Sequence, residues 1–370
     1  MIRDYTPKLS YNDICVCPAE ISDINSRSEC NPYLEDNFLP LFTAPMSTVV
    51  NEENYNLFEE NGIRAILPRN IDFSKRIDAC INHNKWSAFS LKEFEGTFCT
   101  DNVKLSSAKV LIDVANGHMS RIFDMVKKAK AIHKDRLKVM VGNVANPRTY
   151  KHVFECGADY VRVSIGTGSG CITQSNTSIG YPIVSLISEM VQIKKEIHSE
   201  NPGIAWNQLP KIVADGGIRN YSDIIKALAV GADYVMIGSV FAKMLESAAP
   251  ITKIDALWTN SSELKTMWDN LDKIQRVNGR FWYKNQEVEI YKLFYGMASK
   301  LGQQDLGLSL KTSEGIEKTL KVEYTMNSWV ENFKDYIKSA MSYCNIRDIN
   351  DFKNVNVITI SQNTFLSINN

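Results

Sequence analysis

Short apolar runs rich in branched side chains recur along the chain. Each run ends in small or polar residues, and a segment of helix length follows it. Continuous apolar runs of this length are typical of strands buried on both faces, and their alternation with helices predicts a parallel sheet. The runs are LPLFTAPM (39–46), IRAILP (63–68), KVLIDVANG (109–117), LKVMVGNV (137–144), YVRVSIG (160–166), KIVADGG (211–217) and YVMIGS (234–239).

One unit of this alternation occurs twice. The segments VFECGADYVRVSIGTGSG (153–170) and ALAVGADYVMIGSV (227–240) share a helix, then Gly-Ala-Asp-Tyr-Val, then a loop of Gly and Ser. The duplication predicts one structural unit used twice, in a barrel or in a doubly wound sheet. With EIYKLFYGM (289–297) as an eighth strand, the strand number favours the α/β class and a (β/α)8 barrel.

Two segments interrupt the alternation, at about 70–105 and 251–288. The first has the length of two helices and a connection. The second contains SSELKTMWDNLDKIQRV (261–277), which predicts a helix capped by Ser261 or Ser262, and then NGRFWYKNQEVEIYKLF, which predicts a hairpin with its turn at KNQ. The last fifty residues predict two helices and a short strand. We expect the chain, residues 1–370, to form a single domain.

The charge balance narrows the class of partner. The chain has 42 basic and 42 acidic side chains, so it has no net field that would attract nucleic acid or an anionic membrane. No apolar run approaches the ~20 residues needed to cross a bilayer, and the first residues lack the apolar stretch of a secretory signal. Eight scattered cysteines suit reduced thiols. We therefore expect a cytoplasmic protein that binds a small ligand in a discrete pocket.

Three of the predicted strand ends are rich in glycine: SIGTGSGCITQ (164–174), ADGGIR (214–219) and IGSV (237–240). In a barrel, the loops that follow the strands share one face. Glycines let backbone amides approach a phosphate closely, so these loops predict a phosphate ester as ligand, although a tight turn also uses glycine. Asp215, beside two of the glycines, could hold a ribose diol or cap the next helix.

The same segments resemble a known family. GTGSGCITQ, ADGGIRNYSDIIKALAVGADYVMIGSVFA and YKLFYGMASK, in this order, resemble the IMP dehydrogenase and GMP reductase family of barrel enzymes. LSYNDICVCPAEISDINSRSE resembles the N-terminal arm of that family, and KSAMSYCNIRDINDF resembles its C-terminal segment. The resemblance implies a barrel with an N-terminal arm and an active-site flap at about 298–315. The chain has no room for the CBS-pair insert that the dehydrogenases usually carry.

The resemblance implies a covalent mechanism. Both branches of the family form a cysteine adduct at C2 of the purine, and Cys171 matches that nucleophile, whose thiolate form the surrounding amides would favour. The dehydrogenase passes a hydride from IMP to NAD and hydrolyses the adduct to XMP. The reductase expels ammonia from GMP and takes a hydride from NADPH to give IMP.

The flap favours the reductase branch. Residues 298–315 contain neither Arg nor Tyr, the pair that activates water in the dehydrogenases. TSEG (312–315) instead resembles the Ser-Glu-Gly of the reductases, in which Glu314 would act with Thr173 to protonate the departing amine. DVANGH (113–118), NSRSE (25–29), KLFYGM (292–297) and GYP (180–182) are also closer to the reductase, whereas ADGGIR, CITQ and SYC are closer to the dehydrogenase. We favour GMP reductase.

The resemblance also implies which residues bind a purine mononucleotide. The phosphate would be held by Ser169, Gly217, Gly238, Ser239 and Tyr295. Asp215 would bind the ribose, and Met46, Met297 and Ala298 would line the purine. Met46 could equally be an ordinary core residue.

For the cofactor, the resemblance implies NADPH, with Asp113 and Asn116 facing the nicotinamide and Gly142 and Asn143 close by. Asp113 could instead cap a helix. A monovalent cation, K⁺, would be bound by the backbone carbonyls of Gly166, Gly168 and Cys171. The family also implies a homotetramer.

Five positions depart from the family or have no match in it. The family usually has histidine at Pro68, serine or asparagine at Ala44, aspartate at Ser47 and glycine at Ala298. These changes bear on cofactor contacts and purine specificity and leave the thiol chemistry intact. His118 has no match, and we expect it to be an exposed helix residue.

Three alternatives remain open. The chain could be an IMP dehydrogenase, a catalytically weak sensor that kept the nucleotide site, or an unrelated phosphate-binding barrel such as an isomerase. A sensor would have no use for a thiol flanked by a proton donor, and an isomerase would leave the cysteine loop unexplained. Turnover of GMP with NADPH, or of IMP with NAD, separates these hypotheses.

Overall fold

The computed structural model describes residues 6–256 and 273–368. The strands of this part are β1 (Ile14–Val16), β2 (Leu41–Thr43), β3 (Ile66–Leu67), β4 (Trp86–Phe89), β5 (Ala108–Asp113), β6 (Leu137–Val144), β7 (Tyr160–Val163), β8 (Lys211–Asp215), β9 (Tyr234–Ile237), β10 (Ile251–Ala256), β11 (Gln275–Val277), β12 (Arg280–Tyr283), β13 (Gln286–Tyr295), β14 (Glu317–Lys321) and β15 (Val357–Thr359). The α-helices are α1 (Tyr55–Glu60), α2 (Phe73–Ile81), α3 (Leu91–Phe98), α4 (Ser120–His133), α5 (Thr149–Glu155), α6 (Thr173–Thr177), α7 (Ile183–Glu200), α8 (Tyr221–Ala229), α9 (Ser239–Ala242), α10 (Lys300–Asp305), α11 (Met326–Tyr343) and α12 (Gln362–Ile368).

Strands β2 to β9 form an eight-stranded parallel sheet, in the order β2-β9-β8-β7-β6-β5-β4-β3. A parallel bridge between Phe42 and Arg64 links the two ends of the sheet, so that it nearly closes into a barrel. A helix follows each of these strands along the chain. All seven apolar runs contribute a strand to the barrel, and the prediction of a (β/α)8 fold is confirmed.

The eighth strand is not the one predicted. The barrel is completed by β4, which lies within the segment 70–105 that we interpreted as an insertion. That segment is a regular part of the alternation, α2-β4-α3. EIYKLFYGM belongs to β13, where buried and half-buried residues alternate as in a sheet with one covered face. The four residues of β4 are all buried, but a run of four between the charged residues Lys85 and Glu93 is too short to be recognised as a strand from the sequence.

The repeated Gly-Ala-Asp-Tyr-Val segments have the same structural role. The Asp159 amide donates to the Val139 carbonyl at 2.9 Å, and its carboxylate accepts the Val139 amide at 2.9 Å. Asp233 makes the same pair of bonds with Ile212, at 2.9 and 2.8 Å. Each aspartate therefore fixes the start of the following strand, β7 or β9, on the strand before it.

The tyrosines of the two repeats point into the barrel. The ring centroids of Tyr160 and Tyr234 are 5.7 Å apart, and both rings pack against Phe42. Trp86 of β4 contacts the Phe42 ring edge-on at 5.6 Å. This aromatic layer fills the barrel interior, so a ligand can be bound only beyond it, at the ends of the strands.

A second, antiparallel sheet follows the barrel. Its strands run in the order β10-β13-β12-β11, and β14 also pairs with β13. The predicted hairpin is confirmed: β12 and β13 are joined by Lys284 and Asn285, which both have positive φ. Most of the helix predicted at 261–277, with its caps Ser261 and Ser262, lies outside the described residues, while Gln275–Val277 form β11 instead.

The two ends of the described chain are paired. Strand β1 of the N-terminal arm pairs with β15 near the C-terminus in an antiparallel register. Helix α11 buries Trp329, which packs edge-on against Phe241 of α9. The helices and the short strand predicted for the last fifty residues are confirmed. In the part of the chain that the structure describes, no helix is both long and apolar enough to traverse a lipid bilayer.

Candidate active site

The loop between β7 and α6 carries Cys171, whose side chain is half-buried. Its Sγ donates a hydrogen bond to Thr173 Oγ1 at 3.2 Å, and Thr173 Oγ1 donates to Glu314 Oε2 at 2.7 Å. Glu314 lies 141 positions after Thr173, on the flap. The three residues for which we expect a catalytic role are therefore joined in one chain of hydrogen bonds.

Backbone pairing holds the flap beside the cysteine loop. The Ile172 amide donates to the Glu314 carbonyl at 2.9 Å, and the Ile316 amide donates to the Gly170 carbonyl at 3.0 Å. Gly315 lies between them, and a Cβ there would come within 2.7 Å of the Ser299 amide nitrogen. The glycine of TSEG is thus required by this close approach, which fixes Glu314 next to Cys171.

A buried arginine joins the two predicted aspartates. Arg162 of β7 donates from Nε to Asp215 at 2.9 Å and from NH1 to Asp113 at 2.7 Å. Burial alone would lower the pKa of Arg162, but the two carboxylates outweigh that effect and raise it. Arg162 was not among the site residues that the sequence predicted, although a charged residue within the apolar run YVRV could have indicated a functional position. The expected ribose and nicotinamide residues share one ion pair network.

Gly142 and Asn143 complete this network. Asn143 Nδ2 donates to Asp215 Oδ2 at 2.8 Å. A Cβ at Gly142 would lie 2.5 Å from the Cβ of Arg162, so only glycine leaves room for the arginine. Both residues therefore lie beside the ion pairs of Arg162 with Asp113 and Asp215.

His118 differs from the expectation. It precedes α4 rather than lying in a helix, and it is half-buried. Its Nδ1 lies 3.0 Å from Thr149 Oγ1, and its Nε2 accepts the Ala145 amide at 3.0 Å. Burial lowers its pKa. His118 therefore braces the loop after β6, while its neighbour Asn116 is exposed and accepts only the His118 amide among the described hydrogen bonds.

The glycine-rich strand ends meet above the barrel. Gly216 has φ +87°, and a Cβ there would lie 2.6 Å from Thr167 Oγ1, so ADGG packs directly against the cysteine loop. The Gly217 amide donates to the Thr167 carbonyl at 3.0 Å and is therefore already engaged. Gly238 lies against Met46, with Ser239 at the start of α9. Ser169 is exposed on the same loop as Cys171.

The remaining predicted substrate residues surround Ser47. Ser47 Oγ lies 3.2 Å from Tyr295 Oη and 3.8 Å from Met297 Sδ. Its hydroxyl and that of Tyr295 both bond Oδ2 of Asp305, a flap residue that no sequence signal identified. Burial and this carboxylate raise the pKa of Tyr295 to about 12. Ala298 is exposed, and its carbonyl accepts the Glu314 amide at 3.1 Å.

The cysteine loop also contains the predicted cation ligands. Gly166 has φ +83°, and the Gly168 carbonyl accepts the Cys171 amide at 3.0 Å. Within residues 6–256 and 273–368, no group of three or more His, Cys, Asp or Glu side chains is arranged to bind a metal ion.

Comparison with known proteins agrees with this geometry. A GMP reductase of Streptococcus suis (strain 05ZYH33) is 27% identical over 368 residues, which cover 96% of each chain. GMP reductases of Helicobacter pylori (28% identity, 96% of each chain) and Bacillus subtilis strain 168 (27% identity, 96% of this chain and 97% of the relative) are similarly close. The sequence profile described as "IMP dehydrogenase / GMP reductase domain" matches residues 8–368. The chain therefore belongs to the IMP dehydrogenase / GMP reductase family.

Proposed function

We propose that the protein is a GMP reductase, which converts GMP to IMP and ammonia with NADPH through a covalent Cys171 adduct at purine C2. Membership of the family makes it an oxidoreductase that uses a nicotinamide cofactor. The observation that carries the proposal is the hydrogen-bonded chain from Cys171 through Thr173 to Glu314. The relatives that carry the name GMP reductase support the choice of branch.

The hydrogen-bonded chain is oriented to activate the thiol. The Cys171 S–H points at Thr173, and the Thr173 hydroxyl points at Glu314. Transfer of both protons one step along the chain leaves a thiolate at Cys171 and a protonated Glu314. The thiolate forms a bond to C2 of GMP, and Glu314 returns its proton through Thr173 to the 2-amino group, which leaves as ammonia.

The second half of the reaction reduces C2. NADPH, when bound, supplies the hydride. As C2 accepts it, the C2–S bond breaks, Cys171 leaves as a thiolate, and IMP is released. Overall, GMP, NADPH and one proton give IMP, ammonia and NADP⁺. Each atom that leaves or enters the purine does so at C2, which is why one thiol suffices for both halves.

The substrate is held from both ends in this proposal. Asp215, oriented by Arg162 and Asn143, binds the ribose hydroxyls. The phosphate is bound near Ser169, Gly217, Gly238, Ser239 and Tyr295, and the purine lies on Met46, Met297 and Ala298. Because the Gly217 amide is engaged by Thr167, its part is to let the phosphate approach closely rather than to donate.

Residues next to Arg162 would hold the nicotinamide cofactor in this proposal. Asp113 and Asn116 would contact the nicotinamide ring, with Gly142 and Asn143 close by. Asp113 is suited to this role because Arg162 fixes its carboxylate at 2.7 Å. The proposal extends to K⁺ on the carbonyls of Gly166, Gly168 and Cys171, to a homotetramer, and to a cytoplasmic location.

The dehydrogenase reaction requires a base that activates water. Residues 298–315 contain neither Arg nor Tyr, and the flap residue beside the thiol is Glu314. This position suits a proton donor to an amine. The proposal therefore excludes hydrolysis to XMP.

Two parallel assays test the proposal. GMP with NADPH should give a fall in the near-ultraviolet absorbance of NADPH and an equal release of ammonia. A rise in that absorbance with IMP and NAD, together with XMP, would identify a dehydrogenase. Binding of nucleotide without either reaction would favour the sensor.

A further inference from the structure

A carboxylate of the flap engages the hydroxyl of Tyr295. Asp305, the last residue of α10, accepts hydrogen bonds at Oδ2 from Tyr295 and from Ser47, the latter at 2.7 Å. These bonds tie α10 to the barrel. Tyr295 is also one of the residues that bind the substrate phosphate in the proposed function.

The two uses of Tyr295 exclude each other. A tyrosine hydroxyl carries one proton, and while that proton is donated to Asp305 it cannot be donated to a phosphate oxygen. A phosphate at the same hydroxyl would also bring its negative charge close to the Asp305 carboxylate. Two charges of the same sign at this separation repel each other, and more strongly near a protein surface than in bulk water.

We propose that Asp305 competes with the phosphate of a purine nucleoside monophosphate for the Tyr295 hydroxyl, so that the nucleotide binds fully only when the end of α10 leaves Ser47 and Tyr295. Asp305 thereby weakens the binding of phosphorylated ligands and leaves the binding of nucleosides unaffected. The proposal rests on the proposed function for the position of the phosphate.

The contact is weak enough to be displaced. Asp305 forms no ion pair within residues 6–256 and 273–368, because no Lys, Arg or His nitrogen there lies 4.0 Å or less from its carboxylate oxygens. Its described partners are two hydroxyls, and hydrogen bonds of this kind are exchanged for bonds to water or to another anion at a modest net cost. A phosphate bound by the surrounding loops can offset a loss of this size.

Displacement of the Asp305 carboxylate breaks none of the bonds that hold Glu314. The Glu314 carbonyl accepts the Ile172 amide of the cysteine loop, and its carboxylate accepts the Thr173 hydroxyl. The middle of α10 is held separately, because Gln303 accepts the Lys311 amide at 2.7 Å. The proposal therefore requires movement only at the last residues of the helix, beyond Gln303.

Calorimetric titration of the full chain with GMP, IMP and guanosine tests the competition. Asp305→Asn keeps the size of the side chain and removes its charge. Glu317→Gln is the matched control: it removes one charge from the start of β14, where the Glu317 carboxylate accepts the Leu301 amide of α10 at 3.3 Å, and in the described structure it has no side-chain bond to Tyr295. Ser47→Ala removes the other hydroxyl partner of Asp305.

We expect Asp305→Asn to lower the Kd of GMP and of IMP by about tenfold, and to change the Kd of guanosine by less than about twofold. Ser47→Ala should change the Kd values in the same direction by a smaller factor, and Glu317→Gln should change none of them. Nucleotide binding that is unchanged or weakened in Asp305→Asn would overturn the proposal. Equal tightening in Glu317→Gln, or equal tightening for guanosine, would also overturn it.

The use of both nucleotides separates this test from that of the proposed function. If the protein fails to reduce GMP but shows the Asp305→Asn effect on IMP and GMP, only the assignment of the reaction is wrong. If it reduces GMP and Asp305→Asn binds GMP as the unaltered protein does, only the competition is wrong.

Discussion

The hydroxyl of Thr173 donates a 2.7 Å hydrogen bond to the carboxylate of Glu314, although the two residues lie 141 positions apart in the chain. Thr173 begins the helix after the cysteine loop, and Glu314 lies on the flap, so the bond exists only when the flap is paired with that loop. The thiol, the hydroxyl and the carboxylate are thereby brought together by the fold rather than by local sequence.

Removal of the thiol should separate binding from catalysis. Cys171→Ala is expected to reduce turnover of GMP by at least about a thousandfold, because no other group can form the C2 adduct. The Kd of GMP should change little, because other residues hold the ribose and the phosphate. Steady-state rates and calorimetry measure the two quantities.

The control for this variant is Cys15→Ala, which removes a half-buried thiol from β1. Its turnover should equal that of the unaltered protein. Loss of GMP binding in Cys171→Ala would instead mean that the cysteine loop has a structural role.

Neutralisation of Glu314 should affect one half of the reaction more than the other. Glu314→Gln keeps the hydrogen bond to Thr173 but cannot deliver a proton, so the release of ammonia should slow by about a hundredfold. Hydride transfer from IMP to NADP⁺ needs the thiolate of Cys171 but no proton at an amine, so it loses only the help of Glu314 in activating the thiol and should slow less. Stopped-flow absorbance with each substrate measures both steps, and equal slowing would argue against the role of Glu314 as an acid.

Arg162 should be important for stability as well as for the site. Arg162→Leu leaves the half-buried Asp113 and Asp215 without their buried cationic partner, and loss of one member of a buried ion pair lowers the free energy of unfolding by about 3–5 kcal/mol. Arg121→Leu is the control, because its pair with Glu95 is exposed and should contribute less than about 1 kcal/mol. Denaturant unfolding of the two variants should therefore differ clearly, and similar losses would contradict the proposed importance of the network.

Lys292 should make stability depend on pH. This lysine of β13 is buried, and its ammonium donates to the carbonyls of Leu245 at 2.7 Å and Ser247 at 2.8 Å. Burial lowers its pKa to about 8, although Glu246 opposes the shift. Between pH 8 and 10.5, the ordinary pKa of lysine, Lys292 is more protonated in the unfolded chain than in the folded one. Its contribution to stability therefore rises with pH over this range.

The comparison variant is Lys292→Met. The difference in free energy of unfolding, unaltered protein minus variant, should increase across this pH range by an amount of the order of 3 kcal/mol, since one pKa unit corresponds to about 1.4 kcal/mol. Denaturant titrations at several pH values measure it. A difference that is flat or falls as pH rises would show that the lysine is not perturbed in this direction.

The pattern of apolar runs predicted most of the barrel because a buried parallel strand must be apolar throughout. It failed for Trp86–Phe89, since four residues carry too little periodicity, and for β13, since a long half-buried strand resembles a barrel strand when its partners are unknown. The hairpin turn predicts that β13 pairs with β12, but the chain gives no local sign that β13 also pairs with β10 and β14. Strand number was therefore easier to predict than strand identity.

Some residues of the candidate site could likewise be predicted from the sequence, and others could not. Cys171, Thr173 and Asp215 lie in glycine-rich strand ends, so their position on one face followed from the barrel. Arg162 could have been found as a charge within an apolar strand. Asp305 could not, because its contacts with Ser47 and Tyr295 depend on how the flap folds back, and no local pattern encodes that distance.

Transfer of deuterium to the purine tests the central claim most directly. The protein is incubated with GMP and NADPH deuterated at both C4 positions, and the product is analysed by mass spectrometry and NMR. Reductive deamination through Cys171 predicts IMP with deuterium at C2 and an equal amount of ammonia, and no labelled product from Cys171→Ala. Formation of XMP, or of IMP without deuterium at C2, would contradict the account.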